Sequence, residues 1–579
     1  MVAQTRAPGF AELFTPKLVT LMREGYRLAD LRADMVAGLT VAIVALPLSM
    51  AIAIASGVTP DRGLYTAVVG GFIVSVFGGS RFQIGGPAGA FIVVVAATVR
   101  QHGVDGLILA TFLSGLILLT IGFLRLGVFI KYMPYPVTVG FTSGIAIIIF
   151  ASQVKELLGL TLPGDEPGPF IPKIQALGAA LPTVNVAAAV VAAATIGLIV
   201  GVRRFRPHWP AFLIATIFAG LAVWALGLPV ETLGARFGGI ARSLPAPQLP
   251  VFSLEKVTAV LPSALAFALL GAIESLLSAV VADSMSGRRH RSNAELVAQG
   301  AANIGSALFG GICVTGTIAR TATNVRAGAR GPISGMMHSA FVLLFMLVAA
   351  PLASYIPLPA LAALLAIVCW NMAEKHAFGI LLRASRGDAV VLLATFLLVV
   401  FRDLTAGIVV GFGLGALLFL HRMAQAVEVE SRLPIIEDDA ADGIVGNPYD
   451  VGLSTDPDVV VYRISGAFFF GAAAGVAAAL EGIGERPKAY VIDFSAVPLI
   501  DSTAAATIEG FARKARDRSA VVYIAGARPA VRRVLLTHGV RPPHVRFKSK
   551  LADAVAIARR AAKSGAKVEP VAAGVTRLR

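Results

Sequence analysis

The stretch LPSALAFALLGAIESLLSAVVAD (Leu261–Asp283) is an apolar run with one carboxylate in its middle, Glu274. The run is long enough to cross a bilayer, which takes about 20 apolar residues. A charge at that depth costs at least ~2.5 kcal/mol on insertion scales, and such residues usually mark ion or proton pathways. The sequence therefore predicts a membrane helix with a functional carboxyl at Glu274. A hydrogen bond that only joins two helices is the alternative.

The composition of the whole chain is that of a membrane protein. Of the 579 residues, 56% are hydrophobic and 15% are charged. Apolar runs recur from Ala33 to Met423, and the 59 glycines suit helices that pack closely in a bilayer. The first 32 residues are polar and basic, which predicts a cytoplasmic N-terminal segment without a cleavable signal. Cys313 and Cys369 both lie in apolar sequence, which favours neither a disulfide framework nor a metal site.

The apolar segments predict about 14 spans with both termini in the cytoplasm. If the N-terminus is cytoplasmic and the spans alternate, basic residues collect on the cytoplasmic side, as the positive-inside rule requires. The topology in the cell inner membrane then accounts for the net charge of +16, and nucleic-acid binding is not needed to explain it. The segments are 33–57, 63–79, 87–101, 106–124, 133–154, 184–202, 209–227, 257–282, 292–311, 317–329, 332–352, 357–371, 387–401 and 404–421.

Two segments are too short and too rich in glycine to be ordinary spans. QIGGPAGAFIVVVAATV (Gln83–Val99) and GGICVTGTIARTATNV (Gly310–Val325) each place glycines before a short helix, and Pro87 suits the first turn of the first one. A helix that begins inside the membrane points free N–H groups and a positive dipole end into the protein, which makes an anion site. Interrupted segments at corresponding places in two halves indicate a transporter's binding site. Glycine-rich packing helices or loops are the alternative.

Arg320 supports the prediction of an anion site in the second of these segments. It lies in the first turns of the short helix, where a fixed cation adds to the dipole. Its planar guanidinium offers several donors that suit an oxyanion. An arginine that snorkels to the membrane interface is the alternative.

PDRGLYTAVVGGFIVSVFGGSR (Pro60–Arg81) resembles the diagnostic motif of the SulP-type sulfate permeases, the solute carrier 26 family. It departs from that motif at Arg62, where an aromatic residue is usual, and at Val74, where Tyr or Ile is usual. The resemblance continues in order over almost the whole chain. The further stretches are QIGGPAGAF (Gln83–Phe91), MPYPVTVGFTSG (Met133–Gly144), LLGAIESLLSAVVADSMSGRRHRSNAELVAQGAANI (Leu269–Ile304) and TGTIARTATNVRAGAR (Thr315–Arg330).

The resemblance implies a polytopic α-helical transporter of seven plus seven inverted spans, divided into a core domain and a gate domain. An anion would bind between the N-termini of the third and tenth helices. Arg320 occupies the position of the family's half-helix arginine, and Glu274 that of the acid that couples transport to a cation. The implied substrate-binding residues are Pro87, Ala88, Gly89, Ala90, Gly316, Thr317, Ile318, Ala319 and Arg320.

The coupling ion is predicted to be a proton. In sodium-coupled relatives the acid is Asp, with one hydroxyl a turn later and another in the tenth helix. Here these positions are Glu274, Ser278 and the apolar Ile318, so one oxygen of a sodium site is missing, and hard cations need several oxygen ligands. A carboxyl that is removed from water holds its proton more readily. The sequence thus favours a proton over sodium and predicts no other cofactor.

After Met423 the composition changes to a polar linker and then to alternating short strands and helices, which predicts a small α/β domain. The predicted strands are VVVYRI (Val459–Ile464), AYVIDF (Ala489–Phe494) and VVYIAG (Val521–Gly526), and the predicted helices cover 470–482, 502–517, 528–536 and about 550–562. VPLIDSTAAATIEGF (Val497–Phe511) resembles the domain shared by sulfate transporters and anti-sigma factor antagonists (STAS), in which the serine at the position of Ser502 is phosphorylated. We expect Ser502 to be a helix N-cap, with a regulatory phosphosite as the alternative. The predicted divisions are the N-terminal segment 1–32, the transport domain 33–424, a linker 425–455, the STAS domain 456–563 and a basic tail 564–579.

These observations favour a secondary active transporter for a small oxyanion, driven by protons through an elevator-like movement. Sulfate leads because it is the family's commonest assignment; bicarbonate and C4-dicarboxylates such as fumarate or succinate stay open, as do exchange and channel activity. A receptor whose tail signals through Ser502 is a further alternative. An enzyme is excluded because the sequence has no nucleotide-binding loop, metal cluster or nucleophile–base pair. The resemblance also implies a homodimer, although Gly407, Gly411 and Gly415 alone predict packing within the bundle.

Overall fold

The computed structural model describes residues 9–564, except for 128–132, 165, 207–208, 426–427, 432–457, 470–475, 477–479, 481–486 and 544. Two compact units divide the chain, Met1–Gly415 and Ala416–Arg579. Each unit is described by itself below.

The first unit is built from helices, with two very short strands. The helices are α1 (Phe10–Phe14), α2 (Lys17–Glu24), α3 (Leu28–Ala55), α4 (Pro60–Tyr65), α5 (Gly71–Phe77), α6 (Ile92–Phe123), α7 (Tyr135–Leu158), α8 (Phe170–Ala179), α9 (Val186–Phe205), α10 (Ala211–Leu226), α11 (Leu233–Phe237), α12 (Leu254–Ser286), α13 (Ser292–Leu308), α14 (Ile318–Arg326), α15 (Ile333–Ala353), α16 (Leu358–Met372), α17 (Lys375–Ala384), α18 (Arg386–Phe401) and α19 (Leu404–Gln425), which crosses the unit boundary. A π-helical turn (Thr66–Gly70) joins α4 to α5, 3₁₀ turns cover Gly89–Phe91 and Leu181–Thr183, and the strands are β1 (Gly85–Gly86) and β2 (Thr315–Gly316).

Each of the fourteen predicted apolar segments falls on helical structure, and the segment 63–79 covers the end of α4, the π-helical turn and α5. In the described part of the chain, eight helices are long and apolar enough to cross a membrane, and α10 is a shorter apolar helix. The predicted segments 87–101 and 106–124 both fall in α6, which Gly103 interrupts with φ 67° and ψ −174°. Glycine tolerates this left-handed backbone, so the chain turns there between two helical pieces. Three helices in the connections, α8, α11 and α17, were not predicted.

Small residues let the helices of the first unit approach closely. α13 packs on α6, and α15 packs on α3. A Cβ atom placed on Gly115 of α6 would lie 2.7 Å from the carbonyl oxygen of Gly300 in α13, and the reverse distance is also 2.7 Å. The glycine face of α19 packs within the same chain, since a Cβ on Gly407 would lie 2.4 Å from Val399 in α18. This agrees with packing inside the bundle.

The second unit contains a five-stranded sheet, in the order β3 (Glu428–Ser431), β4 (Val459–Ser465), β5 (Ala489–Asp493), β6 (Val521–Ala525) and β7 (Val545–Lys548). β3 pairs antiparallel with β4, and the other neighbours pair parallel. Strand residues alternate between two faces. One face packs against α20 (Ser502–Asp517) and α21 (Pro529–Thr537), and the other against α22 (Leu551–Ser564).

The sequence predicted β4, β5, β6 and the three helices of this unit but not β3 or β7. β3 lies within the stretch assigned to the linker, where its four residues pair with β4 instead of remaining without regular structure. The predicted helix at 470–482 lies mostly outside the described residues, as does the basic tail after residue 564.

Candidate anion site

The two glycine-rich segments meet through their backbones. β1 pairs antiparallel with β2, with Gly85 opposite Gly316 and Gly86 opposite Thr315. Next to this ladder, the backbone N–H of Thr317 donates to the carbonyl oxygen of Ile84 at 3.0 Å. The pairing brings together two stretches that lie far apart in the sequence, and it places the start of α14 beside the start of the helix that leads into α6.

Glycine is required at this crossing because the backbones and side chains leave no room for a Cβ atom. A Cβ on Gly316 would lie 1.6 Å from Nε2 of Gln83. A Cβ on Gly86 would lie 2.4 Å from Nη1 of Arg320. The close approach of Gly86 therefore fixes where the guanidinium can lie.

Both helices begin without a side-chain cap. Ala88 is the N-cap of the 3₁₀ turn that leads into α6 (φ −116°, ψ 146°), and Thr317 is the N-cap of α14 (φ −99°, ψ 120°). Neither accepts a hydrogen bond through its side chain, so the first N–H groups have no acceptor in their own helix. A Cβ on Gly89 would meet no atom within 4 Å, which leaves open space beside the first turn.

The sequence predicted Pro87 in the first turn of its helix, and this prediction is wrong. Pro87 precedes the N-cap Ala88, and the 3₁₀ turn begins only at Gly89. The chain is still extended at this point because β1 pairs with β2 just before it. Of the other predicted residues, Ala90 lies in the 3₁₀ turn, and Ile318 and Ala319 open α14 with partly exposed and exposed side chains.

Arg320 is buried, with 2% of its surface exposed, and this excludes the snorkelling alternative. Its Nη2 donates to Oγ of Ser49 in α3 at 3.1 Å, while Nε and Nη1 have no hydrogen-bond partner among the described residues. No carboxylate in that part of the chain forms a salt bridge with it. A buried cation without a counter-charge is costly. Two free donors beside two helix N-termini therefore suit a small anion.

One face of α12 lies against this site. The carbonyl oxygen of Gly271 accepts from Oγ1 of Thr315 at 3.2 Å, and Oγ of Ser275 accepts from Nε2 of Gln83 at 2.8 Å. Glu274 follows Gly271 by three residues, so it lies on or beside the same face. Its side chain is partly exposed and has no hydrogen bond or ion pair to the described residues. The carboxyl is thus available to a proton or another ligand.

Ser278 lies one turn further along α12 and is fully buried. Its Oγ donates to Oγ1 of Thr321 at 3.0 Å, and the same Thr321 oxygen accepts from the backbone N–H of Ile84 at 3.1 Å. These bonds join α12, α14 and the segment before β1. The structure therefore gives Ser278 a structural contact, and its part in binding a coupling ion stays a prediction.

Glu295 is a fully buried carboxylate that was not predicted from the sequence as a candidate site residue. Its Oε2 accepts from the backbone N–H groups of Gly79 at 2.9 Å and Ser80 at 3.0 Å, and its Oε1 accepts from Nε2 of Gln299 at 3.0 Å. It anchors the loop that precedes the first glycine-rich segment. The signal that identified Glu274, a single acid within an apolar segment, also applies to Glu295.

In the second unit, the N-cap of α20 is Asp501 rather than Ser502. The Asp501 carboxylate accepts from the backbone N–H of Ala504 at 2.8 Å. The backbone places Asp501 just before the first helical residue, in the position whose side chain can accept from the first turn, so the expected cap was wrong by one residue. Ser502 is exposed as the first residue of the helix, and its modification stays a prediction.

Residues 31–395 match the sequence model of the sulfate permease family, and residues 451–554 match that of the STAS domain. The chain belongs to the sulfate permease family. It is therefore an anion transporter and not an enzyme, as the sequence predicted.

Relatives in this family are named for different substrates. The chain is 37% identical over 521 residues to the "Putative sulfate transporter YvdB" of Bacillus subtilis (strain 168), and the match covers 89% of this chain and 95% of the relative. It is 33% identical over 519 residues to the bicarbonate transporter BicA of Synechocystis sp. (strain ATCC 27184 / PCC 6803 / Kazusa), covering 87% of this chain and 90% of BicA.

The fold matches a solved transporter structure over nearly its full length. The murine Solute Carrier 26 family member A9 anion transporter, in the inward-facing state, has a TM-score of 0.82 at 18% identity. The match covers 97% of this chain and 96% of that one. The predicted membrane transporter fold with a C-terminal STAS domain is confirmed.

Substitution of Gly86 tests the packing of the candidate anion site. We expect Gly86→Ala to lower anion affinity at least about tenfold. The added methyl group would displace Nη1 of Arg320, and the bound anion would then lose its hydrogen bond to that charged group. Calorimetric titration with sulfate measures the effect. Gly178→Ala in α8 is the control, since a Cβ there meets no atom within 4 Å. Equal affinity in the Gly86 variant and wild type would contradict this geometry.

Proposed function

We propose that this sulfate permease family member is a secondary active transporter that carries a small oxyanion, sulfate first, together with a proton. The core domain would move relative to the gate domain in an elevator-like way. We further infer that it acts in the cell inner membrane with both termini in the cytoplasm. The proposal extends the family's anion transport to a particular substrate, coupling ion and movement.

The observation that supports it most is the environment of Arg320. Nε and Nη1 are buried donors without a partner among the described residues, and they lie beside two helix starts that no side chain caps. An oxyanion has several acceptor oxygens and can accept from the guanidinium and from backbone N–H groups together. Charge-assisted hydrogen bonds of this kind are about twice as strong as neutral ones.

Glu274 supports a proton as the coupling ion. Its carboxyl has no cation beside it among the described residues, and it lies on or beside the face of α12 that contacts the anion site. A sodium ion needs several oxygen ligands. The hydroxyl of Ser278 is bonded to Thr321, and Ile318 offers no side-chain oxygen. A single carboxyl is sufficient for a proton.

Uptake by purified protein in proteoliposomes tests the proposal. An inward proton gradient should drive accumulation of labelled sulfate above its external concentration, and a protonophore should abolish the accumulation. Equilibration without accumulation under the same gradient would favour a channel. Accumulation that requires a counter-anion inside the vesicle would favour exchange.

Bicarbonate is the second candidate because the relative BicA is named for it. Backbone N–H groups and a guanidinium bind either anion, so the described site does not by itself select one. Competition separates the candidates: excess bicarbonate, fumarate or succinate should leave sulfate uptake unchanged if sulfate is the substrate. Inhibition by one of them at lower concentration than by unlabelled sulfate would transfer the assignment to that anion.

The second unit is expected to influence rate or regulation but not substrate choice. Its sheet has hydrophobic clusters of its own on both faces, and the proposed anion site lies wholly in the first unit. We expect deletion from residue 440 onward to leave a protein that inserts in the membrane, because every predicted span precedes that point. The anion panel measured on the truncated protein checks this. A folded truncation with a changed anion preference would show that the site is placed wrongly.

We also infer a homodimer, which the family resemblance favours. Cross-linking in membranes, followed by mass measurement in detergent, distinguishes a monomer from a dimer. A protein that stays monomeric by both measurements contradicts the inference.

A further inference from the structure

A cavity of about 480 Å³ lies in the first unit beside the candidate anion site. Helices α6 and α12 line one part of it, and α7, α18 and α19 line another. The rest of the lining comes from Gly168–Phe170 and from residues 402–403. None of the predicted substrate-binding residues, all of which the structure describes, lines this cavity. It is therefore a separate candidate site, and its volume is in the range of sites for small organic molecules.

The cavity extends along the first half of α6. Its lining on this helix starts at Val93, four residues after Gly89, and continues to Gln101. One helical turn thus separates the cavity from the start of the anion site, and the lined part of α6 is about 12 Å long. The predicted alternation of spans places Gln101 and the connection at residues 402–403 on the non-cytoplasmic side. A molecule in the cavity would lie between the anion site and that side of the protein.

The walls of the cavity are mostly apolar. Val93, Val94 and Ala97 of α6 line it together with Ala266 of α12 and Val399 of α18. A small, strongly hydrated ion would lose its water in such a space without gaining enough hydrogen-bond donors. An apolar group is instead favoured there because it leaves water. The walls therefore favour an organic ligand over an inorganic anion.

The rim of the cavity carries one positive charge in excess. Its charged lining residues are Arg100, Arg402 and Asp403, so two cations and one anion give a net charge of +1. Nε of Arg402 lies 3.9 Å from Oδ2 of Asp403, whose Oδ1 accepts from the backbone N–H of Ala406 at 2.7 Å. Arg100 forms no salt bridge within the part of the chain that the structure describes. The rim thus complements a ligand with a single negative charge.

The segment before α8 holds Arg100 at this rim. A Cβ atom on Gly168 would lie 2.8 Å from Nη2 of Arg100, so the guanidinium lies close to the backbone of that segment. Phe170, the first residue of α8, packs edge to face on Phe401 at the end of α18, with 5.9 Å between the ring centroids. These contacts fix the segment beside the cavity. An acidic group at Arg100 and an apolar body between the helices would fit the cavity together.

We propose that this cavity binds an amphipathic organic monoanion, whose acidic group pairs with Arg100 and whose apolar body lies between α6, α12 and α18. This ligand is not the transported oxyanion. α6 leads out of the anion site and α12 lies against it, whereas no residue of α18 or α19 is predicted to bind the oxyanion. A molecule wedged between them would hinder the proposed elevator-like movement and would inhibit transport without competing with the oxyanion. The inhibition, unlike the binding, rests on the proposed function.

Three related probes test the binding. 4-Butylbenzenesulfonate has both a negative charge and an apolar body, methanesulfonate has the charge without the body, and 4-butylbenzenesulfonamide has the body without the charge at neutral pH. Each probe is titrated by calorimetry into the purified full-length protein in phosphatidylcholine nanodiscs, with protein-free nanodiscs as the blank. We expect saturable binding of 4-butylbenzenesulfonate alone, with one molecule per chain.

Substitutions in the lining locate the bound probe. Arg100→Gln should weaken binding of 4-butylbenzenesulfonate roughly five- to tenfold, because the sulfonate loses a charge-assisted hydrogen bond. Ala266→Phe and, from the side of α6, Ala97→Phe should each weaken it at least about tenfold, because the added ring occupies the cavity. Arg204→Gln and Ala193→Phe are the matched controls, since both residues are exposed on α9 and do not line the cavity. Gel filtration shows which variants are folded.

Sulfate uptake into proteoliposomes measures the effect on transport. With 4-butylbenzenesulfonate outside the vesicles, we expect the maximal rate to fall while the KM for sulfate stays unchanged. The Arg100→Gln protein should need roughly five to ten times more probe for the same inhibition, in proportion to its weaker binding. The Arg204→Gln protein should be inhibited like wild type.

The outcomes separate this inference from the proposed function. If wild type does not transport sulfate but the probes and variants bind as expected, the proposed function fails and the assignment of the cavity stands. Equal binding of the uncharged sulfonamide would show an apolar groove for lipid only and would overturn the inference, as would the lack of any saturable binding. Binding that persists in both phenylalanine variants places the probe elsewhere and overturns it too. An increase in the KM for sulfate would place the probe in the anion site, with the same consequence.

Discussion

Replacement of Glu274 by glutamine is expected to abolish the stimulation of anion uptake by acid. Glutamine has nearly the same shape as a protonated glutamate but cannot exchange a proton. The carboxyl has no bond to the described residues, so the substitution breaks no contact that holds the fold. We expect the ratio of uptake under an inward proton gradient to uptake without one to fall to about one. Labelled sulfate uptake into proteoliposomes at several external pH values measures it.

Glu255→Gln is the matched control for this experiment. Glu255 lies in the first turn of the same helix, α12, and is exposed. Its replacement should leave the pH profile as in wild type. An unchanged profile in the Glu274 variant would remove Glu274 from the coupling mechanism. A similar loss in both variants would show that the effect arises from the helix or the surface charge rather than from this carboxyl.

Replacement of Arg320 by alanine is expected to cause the largest loss of anion affinity. The two unpartnered N–H groups, Nε and Nη1, are the donors that a bound anion would use. A hydrogen bond to a charged group contributes roughly 1.5–3 kcal/mol, which corresponds to a decrease of about 10- to 150-fold in affinity for each bond lost. Calorimetric titration of the purified variant measures the loss.

Two further variants separate charge from shape and from position. Arg320→Lys keeps the charge but not the planar fork of donors, so we expect an affinity between those of wild type and the alanine variant. Arg326→Ala removes an exposed arginine at the other end of α14 and should leave the affinity unchanged. Equal affinity in wild type and Arg320→Ala would assign the buried arginine to stability alone.

The membrane segments could be predicted from the sequence because they depend on local properties. The length of an apolar run decides whether it can span the membrane. The two short glycine-rich segments differ from ordinary spans in both length and composition. The glycines also indicated where the two helices of the anion site begin. The same local reasoning found β4, β5 and β6, whose apolar residues form continuous runs. Glu274 could be predicted as a functional residue for the same reason, because it is an ionisable residue in the middle of such a run.

The contacts between distant segments could not be predicted in this way. Ser49 as the partner of Arg320 and the pairing of β1 with β2 both join residues that lie far apart in the sequence. No repeating pattern within a short stretch of the sequence indicates these contacts. β3 was missed because its four residues form a strand only when β4 supplies the partner. Asp501 was missed as a cap because adjacent Asp and Ser residues are both good caps, and only the backbone decides between them.

The ladder between β1 and β2 has a consequence for the direction of transport. Because backbone hydrogen bonds join the two segments of the candidate anion site, we expect the site to move as one rigid piece in the proposed elevator-like movement. A pocket that keeps its shape offers an ion the same intrinsic affinity on either side. We therefore expect a reversible carrier with no built-in preference for import. Whether it loads or empties a cell at a given moment would follow from the anion and proton concentrations on the two sides and from the membrane potential.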